Sequence, residues 1–451
     1  MTVRQLGALL RGRKLSCLEL VEQTLADIKA RDTFRCFITL TEEEARGRAK
    51  ALDAELASGR DRGPFHGIPI AHKDLFYTRG VRTTGGSLIF RDFVPGYDAT
   101  VVERLAAAGA ISVGKTNLHE LAYGITSNNP HYGAVLNPRD TNRIPGGSSG
   151  GSAAAIAAGF LPVALGTDTG GSIRIPASYC GITGIKPTYG RVSRFGVLPL
   201  AFSLDHVGPL GSKAEDCALA MNAIAGPDSC DASCVAREAP EFNLPPLSRL
   251  KGLRVGLPSN FFFDRVDAEV ADAAHGSARE LERLGAQISE IRIPDLEKAN
   301  LAARIIQQSE VAALYVNRTD PSEFGSNVWE LIEQGKLISG HEYVNAQRVR
   351  TLFRRDFDAL WKTIDVLLCP TTPITAPLRN QGSVVINGQE EDTRMASTRL
   401  VRAINFLGEP ALSMPCGTSR SGLPIGLQLI SAPFSEPRLL QIASTLEQAL
   451  H

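Results

Sequence analysis

Pro145-Gly146-Gly147-Ser148-Ser149-Gly150-Gly151-Ser152 and, after an alanine-rich run, Gly166-Thr167-Asp168-Thr169-Gly170-Gly171-Ser172-Ile173-Arg174-Ile175-Pro176 form the stretch on which the fold turns. Glycine at this density only costs entropy in regular structure, so it marks backbone in unusual conformations or backbone approached closely by another group. Flexible linkers are long, polar and unpunctuated, whereas these clusters are short and wedged between apolar runs that must pack. Phosphate cradles do not fit either. The Walker pattern needs Gly-Lys followed by Ser or Thr, and the dinucleotide fingerprint needs its glycines between a strand and a helix with an acid beyond. What Thr169-Gly170-Gly171-Ser172 does offer is successive backbone N–H groups at a turn, a geometry able to hold an oxyanion.

Outward from this stretch, the chain alternates short apolar strands with helices. Ile68 to Ala71, Ile111 to Gly114, Gly252 to Leu257 and Asp365 to Pro370 read as strands. Helix patterns cover roughly Glu42 to Leu56, Ala99 to Ala108, Asp267 to Leu284 and Ala346 to Trp361, and Ser16 is placed to cap another amphipathic helix through Ile28. This alternation predicts a central sheet flanked by helices. Gly226 to Pro246, rich in Pro, Asp and Ser, reads as a surface connection rather than a boundary, so one large α/β/α domain is expected.

Composition excludes several classes. The 451 residues carry 48 basic and 48 acidic side chains, which argues against a nucleic-acid partner, and a hydrophobic fraction of 43% allows a large core. No apolar window reaches the roughly 18 residues of a membrane span, and the first residues lack a leader pattern, so a cytoplasmic protein is expected. The eight cysteines show no framework spacing, and Cys230 with Cys234 has no second ligand pair, so neither disulfides nor a metal is expected. No cofactor motif occurs.

An oxyanion site implies a nucleophile and a base. His72, His119, His131 and His206 are all available to a Ser-His-Asp arrangement, and the sequence nominates none of them. The other base is Lys73, at the end of the strand Ile68 to Ala71; its competing role is an ion pair with Asp74.

The two clusters resemble the amidase signature. So do Gly67-Ile68-Pro69-Ile70-Ala71-His72-Lys73-Asp74, Gly114-Lys115-Thr116-Asn117, Gly184 to Gly190, Asp205-His206-Val207-Gly208-Pro209 and Gly422 to Gln428, so the resemblance spans nearly the whole chain and is weakest from about 226 to 360. It implies a mixed twisted sheet in a domain spanning 1–451: helices over 1–60, a catalytic core over 61–225, a variable substrate-pocket region over 226–360, and a return to the core over 361–451. By that resemblance Ser172 is the nucleophile, Ser148 follows a cis peptide from Gly147, and Lys73 is the base acting through Ser148. Thr169, Gly170, Gly171 and Ser172 would hold the oxyanion, Gly147, Ser149, Asp168 and Arg174 would brace the loops, and Ala122 with Tyr123 would touch substrate. A lysine serves as a base near neutrality only when buried and stripped of its proton by desolvation.

Two activities share this signature. One is a free-standing hydrolase of small neutral amides, anilides, carbamates or esters, working alone or as a homodimer. The other is the glutamine-hydrolysing subunit of a tRNA-dependent amidotransferase. Glutamine carries a carboxylate that needs an arginine partner. In that subunit a paired-arginine segment follows an aligned Phe-Gly, whereas here Phe324-Gly325 leads into Val328-Trp329-Glu330-Leu331-Ile332. On that ground the sequence favours the free-standing hydrolase. A binding protein without catalysis is disfavoured, because all three catalytic positions are intact.

Overall fold

The computed structural model describes residues 1–450. Its centre is an 11-stranded sheet. In chain order the strands are β1 (Phe37–Leu40), β2 (Pro69–Lys73), β3 (Ile111–Thr116), β4 (Val163–Asp168), β5 (Thr183–Lys186), β6 (His206–Gly211), β7 (Arg254–Pro258), β8 (Gln287–Ile291), β9 (Val366–Pro370), β10 (Ala411–Thr418) and β11 (Pro424–Ser431). Across the sheet they run β1-β3-β2-β4-β6-β5-β10-β11-β9-β7-β8. Pairing is mixed: β2 is parallel to both β3 and β4, β7 is parallel to β8 and β9, and the central strands from β4 to β9 pair antiparallel. The expected α/β class and mixed sheet are both present.

The anticipated strands and helices recur with small shifts. Ser16 caps Cys17–Arg31, its hydroxyl accepting from Glu19 N–H while the Glu19 carboxylate reaches back. The helix expected over Ala346 to Trp361 begins earlier than its apolar pattern suggests, at Gly340, because Ser339 and Glu342 form the same reciprocal cap. The segment before residue 60 is not helical throughout: β1 pairs antiparallel with β3 at the sheet edge.

The helix Gly150–Ala157 explains the glycine and alanine density. Gly150 through Ile156 are all buried, and a Cβ on Gly151 would stand 2.3 Å from Asn117 O and 2.6 Å from Cys36 O. Only a residue without a side chain lets this helix lie against the end of β3, where Gly151 N–H donates to Asn117 O at 3.0 Å. The parallel pairing of β2 with β4 brings Lys73 and Asp168, each the last residue of its strand, to the same end of two neighbouring inner strands. The loop before the buried helix carries Ser148 to that end, and the loop after β4 carries Ser172.

Candidate active site

Lys73 is completely buried, and its Nζ reaches three hydroxyls: Ser148 Oγ at 2.7 Å, Thr167 Oγ1 at 2.9 Å and Ser149 Oγ at 3.0 Å. The competing ion pair with Asp74 is absent, because Asp74 pairs with Lys115 at 3.3 Å and accepts from Thr84. Burial pushes the Lys73 pKa down from 10.5 to about 7, with Asp168 and Asp205 pulling in the opposite direction. The peptide between Gly147 and Ser148 is cis. Ser149 N–H donates to Ser172 C=O at 3.2 Å and thereby ties the two glycine-serine clusters together. Ser172 is 7% exposed and opens onto a slot; among the described residues its hydroxyl has no hydrogen bond to Ser148.

Asp168 organises the turn before Ser172. Its carboxylate accepts from Gly171 N–H (2.8 Å), Ile173 N–H (3.1 Å), Asn405 Nδ2 (2.8 Å) and, bidentately, from Arg174 Nε and Nη2 (3.0 Å each). Burial alone would raise its pKa, but the Arg174 charge and these donors hold the carboxyl well below the usual carboxylate range. Arg174 is itself fully buried and continues to Gln428 Oε1 at 2.7 Å and Val401 O at 3.1 Å. Of the four N–H groups expected to face an oxyanion, that of Gly171 donates to Asp168. The N–H groups of Thr169, Gly170 and Ser172 have no partner among the described residues. Gly171 is also held at φ +119, and a Cβ there would meet Val401 Cγ2 at 2.4 Å.

Among the described residues no histidine ring is hydrogen-bonded to the Ser148 or Ser172 hydroxyl; His119 meets Ser148 only through the backbone, its N–H donating to Ser148 C=O at 3.1 Å. His72 points its unpartnered Nδ1 into the core, and burial together with nearby Lys115 drops its pKa to about 3. His119 contacts Thr126 Oγ1 and Asn327 Nδ2, His131 pairs with Glu120, and His206 Nδ1 faces Leu204 O at 2.6 Å.

The slot in front of Ser172 is lined by Ala122, Tyr123, Gly124, Ile125, Gly170, Gln307, Arg394, Thr398 and Arg402. Ala122, at φ +59, turns the chain so that Tyr123 forms one wall, with the Arg394 guanidinium 5.6 Å above its ring. Arg402 is 4% exposed, and its Nε has no hydrogen-bond partner among the described residues. Burial lowers the Arg402 pKa to about 9, with Arg394 and Arg304 adding repulsion. Sequence reasoning missed Arg304, Gln307, Arg394 and Arg402. One signal was available: Arg304 interrupts the apolar run Ala302-Ala303 and Ile305-Ile306 in the helix Leu296–Leu314.

A family model described as Amidase matches residues 19–440. The chain belongs to the amidase family. It is 43% identical over 479 residues to the A-subunit of the glutamyl-tRNA(Gln) amidotransferase of Azotobacter vinelandii, covering 100% of this chain and 97% of that one. The corresponding protein of Synechococcus sp. (strain CC9605) is 42% identical, with 100% and 96% covered. Among solved structures, one described as "An unexpected vestigial protein complex reveals the evolutionary origins of an s-triazine catabolic enzyme" superposes with TM-score 0.96 at 39% identity, covering 99% of this chain and 98% of that one. A bacterial aryl acylamidase of the amidase signature family superposes at 0.90 with 27% identity, covering 100% and 96%. This amidase-family protein is a hydrolase of carbon-nitrogen amide bonds. No helix of the described residues is long and apolar enough to cross a membrane.

Proposed function

We propose that this chain hydrolyses the amide of a small carboxylate-bearing substrate through a Ser172 acyl-enzyme, with Ser148 and Lys73 moving the protons. The observation that carries the reading is the arginine-lined slot. Among the described residues Arg304, Arg394 and Arg402 form no ion pair, and Arg394 and Arg402 share the slot wall with Ser172. Like charges held together without a counterion are costly, and a substrate carboxylate would offset that cost. The sequence-based preference for a neutral amide rested on the missing basic pair after Phe324-Gly325. Arginines reach the site from other helices, and the near-full-length likeness to the A-subunits of amidotransferases favours a carboxylate-bearing substrate and a partner protein over a substrate without a carboxylate and a chain acting alone.

In the proposed course, the substrate carbonyl sits over the turn with its oxygen toward the N–H groups of Thr169, Gly170 and Ser172. Ser172 Oγ rotates toward Ser148 and attacks the carbonyl carbon. Its proton passes to Ser148 Oγ as the Ser148 proton passes to Lys73 Nζ; hydroxyl contacts of this kind commonly tighten only with substrate bound. The negative charge on the tetrahedral oxygen falls on donors already in place. The relay then runs backward to protonate the departing nitrogen, and water, deprotonated by the same relay, releases the acid.

The test is kinetic. The purified full-length chain, alone and with any protein that copurifies with it, is offered monoamides of dicarboxylic acids, glutamine and neutral aliphatic amides. Preference for the carboxylate-bearing amides is expected, together with loss of activity in Ser172→Ala at unchanged folding. A preference for neutral amides refutes the reading.

A further inference from the structure

We propose that the slot selects an amide whose remote end is a carboxylate and which carries no amino group, so that a dicarboxylic acid monoamide is a better substrate than an α-amino acid amide such as glutamine. This rests on the reading above and narrows its substrate class. The slot has two guanidinium groups on its wall and no Asp or Glu among its lining residues. Arg402 Cγ and Nε and Gln307 Oε1 each stand 3.8 Å from the Cβ position of Gly170, so both side chains face the proposed oxyanion strand across the slot.

A carboxylate entering there meets two guanidinium groups without a counterion, one of them with a donor that has no partner. Among the described residues neither Arg394 nor Arg402 forms an ion pair, and Arg402 Nε is buried without a partner. An α-ammonium entering the same space meets two or three like charges and finds only neutral acceptors, among them the unpartnered Tyr123 hydroxyl, and no carboxylate on the wall. Thr398 Oγ1 donates to Arg394 O at 2.8 Å, and Gln307 offers one neutral oxygen. Acids in the surrounding elements are already engaged. Glu310 accepts from Ser203 N–H and the Tyr343 hydroxyl, Asp205 from Thr169 Oγ1 and the N–H groups of Leu200 and Ala201, and Asp168 from Arg174. A substrate ammonium would thus be desolvated beside cations without a counter-charge, whereas the same molecule without it loses no contact.

The experiment uses two matched pairs that differ only in the ammonium, succinamate against asparagine and glutaramate against glutamine, with butyramide as the neutral amide. For the full-length chain, the better monoamide is expected to exceed its amino-acid counterpart in kcat/KM by a factor on the order of 100, the scale of an unpaired like-charge contact. Gln307→Glu, which adds a carboxylate to the wall, is expected to narrow that ratio by about tenfold. Calorimetric binding to Ser172→Ala supplies the same ordering independently of turnover. Glutamine or asparagine equal to or better than its monoamide, with both anions above butyramide, overturns this inference and leaves the carboxylate reading standing. Butyramide equal to the anions, or no binding of any anion, overturns the carboxylate reading itself.

Discussion

Replacing Lys73 by methionine tests the proposed base in two independent measurements. The amine is wholly buried, and burial brings its pKa from 10.5 to about 7. The unfolded chain holds its proton up to the ordinary lysine value. Between about pH 7 and 10.5, then, the unfolded state binds one proton more than the folded state, and stability rises with pH. Below pH 7 both states carry the charge and the folded chain bears the full burial cost, about 5 kcal/mol at about 1.4 kcal/mol per pH unit. Methionine keeps the length of the stem and removes the charge. The three hydroxyls around Nζ lose a donor, which subtracts about 1–3 kcal/mol. Lys73→Met is therefore expected to be more stable than the parent by about 2–4 kcal/mol at pH 6, and the advantage should vanish toward pH 10. Urea unfolding at pH 6, 8 and 10 reads this difference directly. In the parent enzyme kcat/KM is expected to fall about tenfold per pH unit below about pH 7, as the free base disappears, and the variant should be inactive. A stability difference that ignores pH, or a rate profile flat from pH 5 to 9, refutes the claim that a neutral Lys73 is the base.

Three further outcomes follow from the packing and the charges. Asp168→Asn removes the carboxylate that pairs with Arg174 and fixes Gly171 N–H, so a loss of about 3–5 kcal/mol in denaturant unfolding and loss of turnover are expected together; unchanged stability would mean that the buried pair does not brace the turn. Gly151→Ala and Gly170→Ala should separate cleanly. The first drives a Cβ to 2.3 Å from Asn117 O and should destabilise by about 1–3 kcal/mol, while the second finds no atom nearer than 3.8 Å and should fold normally but lose kcat/KM by narrowing the slot. His72→Ala should retain turnover within about tenfold of the parent, because the ring is buried, neutral and away from both serines; abolished activity in a folded variant would restore a histidine base.

The legible part of this protein is the part made by local backbone demands. The two glycine-serine clusters could be read because a buried helix against β3 and a turn around Asp168 tolerate almost nothing but small residues. The strands could be read because apolar runs between turns have few other uses. The slot was not legible for a different reason. Arg304, Arg394 and Arg402 sit on three helices, separated by up to about a hundred residues in sequence, and apart from the apolar run around Arg304 no local pattern sets them off from surface cations. Their meaning comes from meeting without an acid, which only the tertiary arrangement supplies. Looking for an arginine pair at one aligned position therefore could not find these three.

The buried lysines show why position along a strand does not by itself nominate a base. Lys73, Lys115 and Lys186 are all completely enclosed, and each has its pKa lowered by burial. Lys115 gives its protons to Phe76 O and Thr83 Oγ1 and stands in an ion pair with the Asp74 carboxylate, and Lys186 gives its protons to the carbonyls of Pro187 and Glu409. A carbonyl or a carboxylate can only accept, and the Thr83 hydroxyl turns to the carbonyls of Phe76 and Val81 and not to a serine, so those contacts favour the charged amine and lead no proton toward Ser148 or Ser172. Lys73 alone of the three meets only hydroxyls, which can turn from acceptor to donor as the amine loses its proton. One of those hydroxyls, Ser148, lies in the cluster tied to Ser172. A base needs both a depressed affinity for its proton and a neighbour able to hand one over, and that combination occurs at Lys73 and not at the other two.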